Sequence, residues 1–314
     1  MKHVTPNGNE VRVINQAELV AILDAFFNVA AFDESGDRQY FPPGYASVFE
    51  RFAVPGFSQG SWNGLMLDNA PAVDRVYLIV FPAQDVLDTI IAREVERGAP
   101  GALIFSHHMA DYQESGPGFA FITEAQLEEL GEHAISYYNC HAPLDSHPQI
   151  STSTALAAAL KVKEPQRFAP YLGGLAGVYG KVGPIGFHEF ARKVATVTDL
   201  PYLRYSAIRH NGRPVQQVGI VTGRGGEAEF IRAAIDVGCD TFVTGEWWLF
   251  GPGETRLRHQ EQVHRFLVDA DINLIGTSHY ASEAVVMRDL MPGWLNENVP
   301  GVEPLFVPQA DPSR

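Results

Sequence analysis

Cysteine is scarce in this chain: only Cys140 and Cys239 occur among 314 residues. That excludes a disulfide framework and any multi-cysteine zinc site, and leaves room for at most one bridge. A metal bound here would have to be held by histidine and carboxylate. Long apolar runs are also missing. No uninterrupted hydrophobic stretch reaches about 18 residues, and there is no signal-peptide core, so the expectation is a cytoplasmic protein without a membrane partner. Positive charge is in short supply, with 23 Lys and Arg against 37 Asp and Glu and a formal net charge of −14. Extended contact with nucleic acid or an anionic membrane gains from clustered cations, so neither is expected. A small anionic substrate stays open if cations line its pocket.

What is present is ordinary globular material, 46% hydrophobic and 19% charged. A chain of this length can build one large α/β unit or two domains, each with its own core, without a metal to hold it. A helix-like stretch runs from about Gln16 to Val29. The aromatic, Gly- and Pro-bearing stretch from Phe41 to Gly60 reads as loop. From Arg75 the texture changes, and Val76 to Phe81 form a continuous β-prone run suited to a buried strand. Asp85 to Arg97 carries a helical stripe at Val86, Leu87, Ile90, Ile91 and Val95, closed by Gly98 and Pro100. The strand Ala102–Phe105 ends at Ser106-His107-His108. After a helix near Thr123 to His133, the strand Ile135–Asn139 runs into Cys140-His141-Ala142-Pro143-Leu144-Asp145.

The second half repeats this order. The strand Val218–Thr222 leads into Gly223-Arg224-Gly225-Gly226, then a helix from about Glu227 to Val237. The strand Thr241–Thr244 ends at Gly245-Glu246, a helix follows around Gln260 to Asp269, and the strand Ile272–Gly276 ends before His279-Tyr280-Ala281-Ser282-Glu283. A shift of 138 residues lays His108 on Glu246, His141 on His279 and Asp145 on Glu283. The first strands need a further three-residue gap. The pattern reads as a weak internal duplication of strand-helix-strand-helix-strand halves, with polar residues in loops at the carboxyl ends of strands.

Adjacent histidines on an extended strand point in roughly opposite directions, so His107 and His108 are expected to serve two ions rather than grip one. His279 and Glu283, four apart, share a helix face, and Glu283 has two oxygens with which to bridge ions. Asp145, just after a proline suited to a helix's first turn, would supply an anionic ligand. Taken alone, a His-His pair or an H-x-x-x-E is more often structural. Three strand ends bearing ligand types in one α/β chain point to a dinuclear site. His141 and Glu246, as repeat partners of His279 and His108, are candidates for catalytic proton transfer, support of the ligands or extra ligation. The bland alternatives are a hydrogen-bonded histidine and a helix-cap carboxylate. Gly223–Gly226 is either an anion cradle or a tight turn. Trp247 and Trp248 either stack on a heterocycle or pack in the core, and Cys140 reads as packing.

The segments Ile104-Phe-Ser-His-His108, His141-Ala-Pro-Leu-Asp145, Phe242-Val-Thr-Gly-Glu246 and Ser278-His-Tyr-Ala-Ser-Glu283, in this order, resemble the Nif-three-like family (NGG-one-interacting factor three homologues). Its members are often labelled GTP cyclohydrolase I type 2 homologues. Trp62-Asn-Gly-Leu65 is similar to an early motif of the same family, so the resemblance spans roughly residues 60 to 310. It implies two interlinked α/β lobes, a hexameric ring, and two divalent ions held by His107, His108, Asp145, His279 and Glu283. Met109 stands where the family usually has proline, and Ala142-Pro143 where it has threonine-asparagine. Both changes concern the pocket lining and leave the ligands intact. The fold class expected is therefore α/β, two lobes from a weak duplication with a dinuclear metal site between them. Residues 1–61 would form an N-terminal helix and irregular segment, 62–165 the first lobe and 166–314 the second. The ligand types suit zinc, iron, manganese or nickel. Two such ions about 3.5–4 Å apart activate water, so the expected activity is hydrolysis of a nucleotide-like heterocycle or a phosphoester. The alternative is a non-catalytic metal-binding or metal-delivering ring.

Overall fold

The computed structural model describes residues 3–4, 10–11, 13–36, 41–42, 44–57, 62–98, 101–113, 118–206, 208–248 and 254–309. They form two units interleaved along the chain. One gathers the described residues up to Tyr112 with Phe119–Leu144 and the stretch from Met287 onward; the other gathers Gln113, Gly118 and Asp145–Val286. Among the described residues, no helix is long and apolar enough to cross a membrane.

The first unit opens with α1 (Gln16–Phe27), whose amino end is capped by the Asn15 side chain accepting the Ala17 N–H at 2.9 Å. Leu19, Leu23 and Phe27, four apart, are fully buried. The helix stops short of Val29 because Asn28 takes a left-handed conformation. A second helix, α2 (Tyr45–Phe52), corrects the expectation of loop from Phe41 to Gly60. Tyr45, Val48, Phe49 and Phe52 fall on one face and pack on the first unit's core, a helical stripe hidden among turn-forming residues. Residues 43 and 58–60 of that stretch, and Pro100, lie outside the described residues.

The sheet of this unit contains β1 (Gly64–Leu67), β2 (Arg75–Ile79), β3 (Ala102–Ser106) and β4 (Ile135–Asn139), joined by α3 (Gln84–Arg97) and α4 (Glu124–Glu132). The strands β2, β3 and β4 run parallel and side by side, β1 lines the β4 edge antiparallel, and the late strand Glu303–Phe306 adds in parallel to β2. Val76 to Ile79 and all of β3 and β4 are buried, as expected of a parallel sheet covered on both faces. Helix α3 ends where Gly98 adopts φ +63°, and α4 begins with a capping box between Thr123 and Gln126. After β4 comes one turn of helix, α5 (Ala142–Ser146).

The second unit has α6 (Thr152–Ala159), the hairpin β5 (Lys163–Tyr171) and β6 (Gly174–Ile185), α7 (Phe187–Val197) and the short strand β7 (Arg204–Ser206). Then come β8 (Val215–Val221), α8 (Ala228–Asp236), β9 (Thr241–Thr244), α9 (Glu254–Leu267), β10 (Asn273–Gly276) and α10 (His279–Val285). The sheet order is β5-β6-β8-β9-β10-β7, with β8, β9 and β10 parallel and the flanking strands antiparallel. Each unit thus holds three adjacent parallel strands linked by two helices, in the same order. The duplication read from the sequence is matched by this topology, and each copy carries additions that the repeat does not contain.

Candidate metal-binding groups

Register decides which residues meet. In the first unit Ile79 pairs with Ser106 and Ser106 with Asn139, so all three parallel strands end level. His107-His108 and Cys140-His141 therefore leave the sheet side by side. The ladder continues one step further, with the His107 N–H donating to Ile79 O at 3.2 Å, His108 N–H to Val80 O at 2.9 Å and Cys140 N–H to Ser106 O at 2.9 Å.

The three imidazoles cluster. Ring centroids lie 4.3 Å apart for His107 and His108, 5.1 Å for His107 and His141, and 4.8 Å for His108 and His141. One nitrogen from each falls within 4.8 Å of the others, close enough to share a cation. This corrects the expectation that His107 and His108 splay apart. The strand ends at Ser106, so its alternation no longer governs the two residues that follow. His107 is fully buried, and its Nδ1–H donates to Cys140 O at 2.9 Å, which leaves Nε2 as the basic nitrogen. The His108 ring stacks on Phe81 at 4.4 Å, and its carbonyl accepts from Ser106 Oγ at 2.6 Å and Tyr137 OH at 2.8 Å.

Two residues outside the expected set hold His141. Its Nδ1 lies 2.5 Å from Glu34 Oε1, and its backbone N–H donates to Asn63 Oδ1 at 2.7 Å. The Asn63 side-chain amide donates to Glu34 Oε2 at 2.6 Å, and Ala142 N–H donates there at 3.2 Å. Burial alone would raise the Glu34 carboxyl, but the His141 charge and these hydrogen bonds hold it below the usual glutamate range. Glu34→Ala removes this carboxylate from His141, and should cost about 3 kcal/mol of stability by urea denaturation at neutral pH. Because the folded-state pKa is depressed, the contribution is full above the unfolded-state value and drains away as pH falls through the folded one. The variant's stability should therefore converge on wild type in acid. Asn63 lies within the quoted Trp62-Asn-Gly-Leu65 motif, whereas Glu34 has no local signal: it lies 107 residues before its partner.

In the second unit Val221, Thr244 and Gly276 are level. Glu246 N–H donates to Gly223 O at 3.0 Å and Thr277 N–H to Thr244 O at 3.0 Å, echoing the bonds to Val80 and Ser106. Helix α10 starts at His279 behind a Ser278 cap whose Oγ accepts the Ala281 N–H at 2.9 Å. One turn on, Glu283 Oε1 lies 3.3 Å from His279 Nε2, while His279 Nδ1 faces Glu246 Oε1 at 3.3 Å. Burial by itself would lower the His279 pKa, but the charge of Glu283 and the hydrogen bond to Glu246 push it well above the ordinary value. Glu246 is fully buried, and its Oε2 has no hydrogen-bond partner among the described residues. Two buried carboxylates around one imidazole form a group that requires positive charge.

Asp145 stands on α5, its Oδ1 accepting from Thr152 Oγ1 at 2.6 Å at the start of α6. Thr152 in turn accepts from Thr222 Oγ1 at 2.7 Å, next to Gly223. The glycines of 223–226 are explained by crowding. A Cβ on Gly225 would lie 2.4 Å from Val221 O, and one on Gly226 2.3 Å from Glu246 O. Arg224 reaches Glu227 at 3.3 Å. Trp247 packs on the second unit's core, and Cys140 and Cys239 are free and buried.

Two α/β units of one topology, each collecting histidines or carboxylates where its parallel strands end, define a duplicated α/β protein with candidate metal-binding groups. Residues 46–312 match the Duf34/NIF3 (NGG1p interacting factor 3) family, and the chain belongs to it. It is similar to the GTP cyclohydrolase 1 type 2 homolog of Pyrococcus horikoshii, 24% identical over 300 residues that cover 94% of this chain and 98% of that one. The protein of the same name from Escherichia coli K12 is 26% identical over 261 residues, covering 80% and 91%. A solved structure described as protein ybgI, of unknown function, superposes with a TM-score of 0.66 at 22% identity, covering 95% and 100%. That likeness concerns the fold.

Proposed function

We propose that this protein holds a pair of divalent ions on His107, His108, Asp145, His279 and Glu283 and acts as a metal-dependent hydrolase. The observation that carries the reading is the donor chemistry. Three imidazoles gather in one unit, and in the other an imidazole sits between two buried carboxylates, with one Glu246 oxygen unpartnered among the described residues. These residue types suit zinc, iron, manganese or nickel. When bound, such a pair supplies Lewis acidity and makes water a stronger acid.

The chain's own residues do the rest. His107 presents Nε2 because Nδ1–H is committed to Cys140 O. Glu34 fixes the His141 ring, so that its other nitrogen can take up or release a proton. Glu246 orients His279 from the side opposite Glu283. The relatives' name favours ring hydrolysis of a nucleotide-like heterocycle over phosphoester cleavage. A hexameric ring in the cytoplasm is the assembly and location that go with this reading.

Depth of burial favours a second reading, a non-catalytic ring that stores or delivers metal, since His107 and Glu246 have no exposed surface at all. Elemental analysis of the purified protein, coupled to a hydrolysis screen with and without chelator, separates the two. The expected result is close to two divalent ions per chain and turnover that chelation abolishes. Two ions with no turnover of any nucleotide or phosphoester would leave the storage reading standing.

A further inference from the structure

We infer that the second unit carries a cleft for a planar heteroaromatic anion of the nucleoside monophosphate class, built by Leu203, Arg204, Tyr205, Trp247 and Trp248. This deepens the hydrolase reading by naming the substrate class, and it rests on that reading only for turnover.

The cleft is shallow and open to solvent, with a volume of about 560 Å³. Two segments line it, one at the start of β7 and one just beyond β9. Arg204, on the edge strand β7, pairs in register with Gly276, the last residue of β10. Trp247 and Trp248 follow β9. Gly276 has to lack a side chain here, because a Cβ would lie 2.1 Å from Trp248 Cζ3 and 3.0 Å from Trp247 Cδ1. The Trp248 carbonyl accepts from Gln260 Nε2 at 2.5 Å, which ties the segment to α9. The two indoles meet edge to face, at 87° with centroids 5.8 Å apart.

The polar groups set the charge and class of the ligand. The Arg204 guanidinium lies 4.8 Å over the Trp248 ring, and among the described residues it has neither an ion pair nor a side-chain hydrogen bond. An exposed, uncompensated arginine placed over an indole can receive an oxyanion, and its planar fork matches phosphate. Tyr205, 48% exposed, offers a further aromatic surface. Stacking on indole and phenol is tolerant of which base is present, so the class is fixed more firmly than the base. Location completes the argument. Glu246 directly precedes Trp247 and His279 follows Gly276 by three residues, so the cleft sits at the carboxyl ends of the strands that bear those groups.

Calorimetric titration of the purified protein with GMP, AMP, the two nucleosides and inorganic phosphate tests this, with metal content measured on the same samples. Saturable binding of the monophosphates is expected, with the nucleosides roughly tenfold weaker and phosphate alone weaker still. Arg204→Gln should remove the preference for monophosphate over nucleoside, and Trp248→Leu should weaken both about tenfold, while metal content stays as in wild type. Should Trp248→Leu fail to fold, the exposed Arg204 still decides. Absence of saturable monophosphate binding, phosphate binding as well as the nucleotides, or an Arg204→Gln variant with unchanged preference overturns the inference. Nucleotide binding in a protein that carries no metal would keep the cleft and sink the hydrolase reading. Metal-dependent turnover that Arg204→Gln leaves untouched would do the reverse.

Discussion

Glu283→Gln is expected to strip the protein of both ions while leaving the fold in place. The carboxylate sits one turn beyond His279 on a fully buried helix, with Oε1 3.3 Å from the imidazole. In the proposed centre its two oxygens would be available as ligands to both ions. Glutamine keeps the size but removes the negative charge and replaces one oxygen with an amide donor, which cannot ligate a cation. Metal content should fall from about two per chain to near zero, with any hydrolytic rate falling alongside it. The circular dichroism spectrum should stay close to wild type, because each unit has its own apolar core. A variant that retains both ions and its rate would show that Glu283 is no bridge, leaving Asp145 as the remaining carboxylate of the proposed set.

A second large effect is expected from Gly223→Ala, through two separate causes. Gly223 has φ +60°, where an L-residue is strained by about 1 kcal/mol. The new Cβ would also stand 2.1 Å from Glu283 Oε1 and 3.1 Å from His279 Nε2. The carboxylate must then retreat by at least ~1 Å, well beyond the few tenths of an ångström that metal ligation tolerates. Stability should drop by about 1–3 kcal/mol in thermal unfolding, and metal affinity should fall more than a hundredfold by competition with a chelator. Metal affinity equal to wild type would mean that Glu283 does not ligate. A loss of stability alone would assign the glycine to the turn.

Much of this was legible in the sequence because the information was local. The parallel strands announce themselves as apolar runs, and Gly98, Gly238 and the Thr123 cap punctuate the helices between them. The two halves keep their spacing well enough for His108 to fall on Glu246 and His141 on His279. The features that escaped are those that local pattern does not encode. Helix α2 hides its stripe between turn-forming residues, and the β5-β6 hairpin has no counterpart among the described residues of the first copy. The Glu34 contact joins residues 107 apart, and no periodicity reports a hydrogen bond across such a distance. His107 and His108 approach each other because strand alternation stops with the strand at Ser106, a boundary that the apolar pattern does not mark.

The strand Glu303–Phe306 bears on how the chain reaches its native state. It pairs with Arg75–Leu78, so the first sheet is completed by residues translated more than 200 positions after their partners. The ribosome therefore releases Asp145–Val286 before the first unit can close its β2 edge, and until then β2 carries a row of unpaired backbone groups. Folding should be biphasic, with the unbroken run Asp145–Val286 of the second unit protected early against hydrogen exchange. The β2 amides should gain protection last, in step with Met287–Asn298 and the terminal strand.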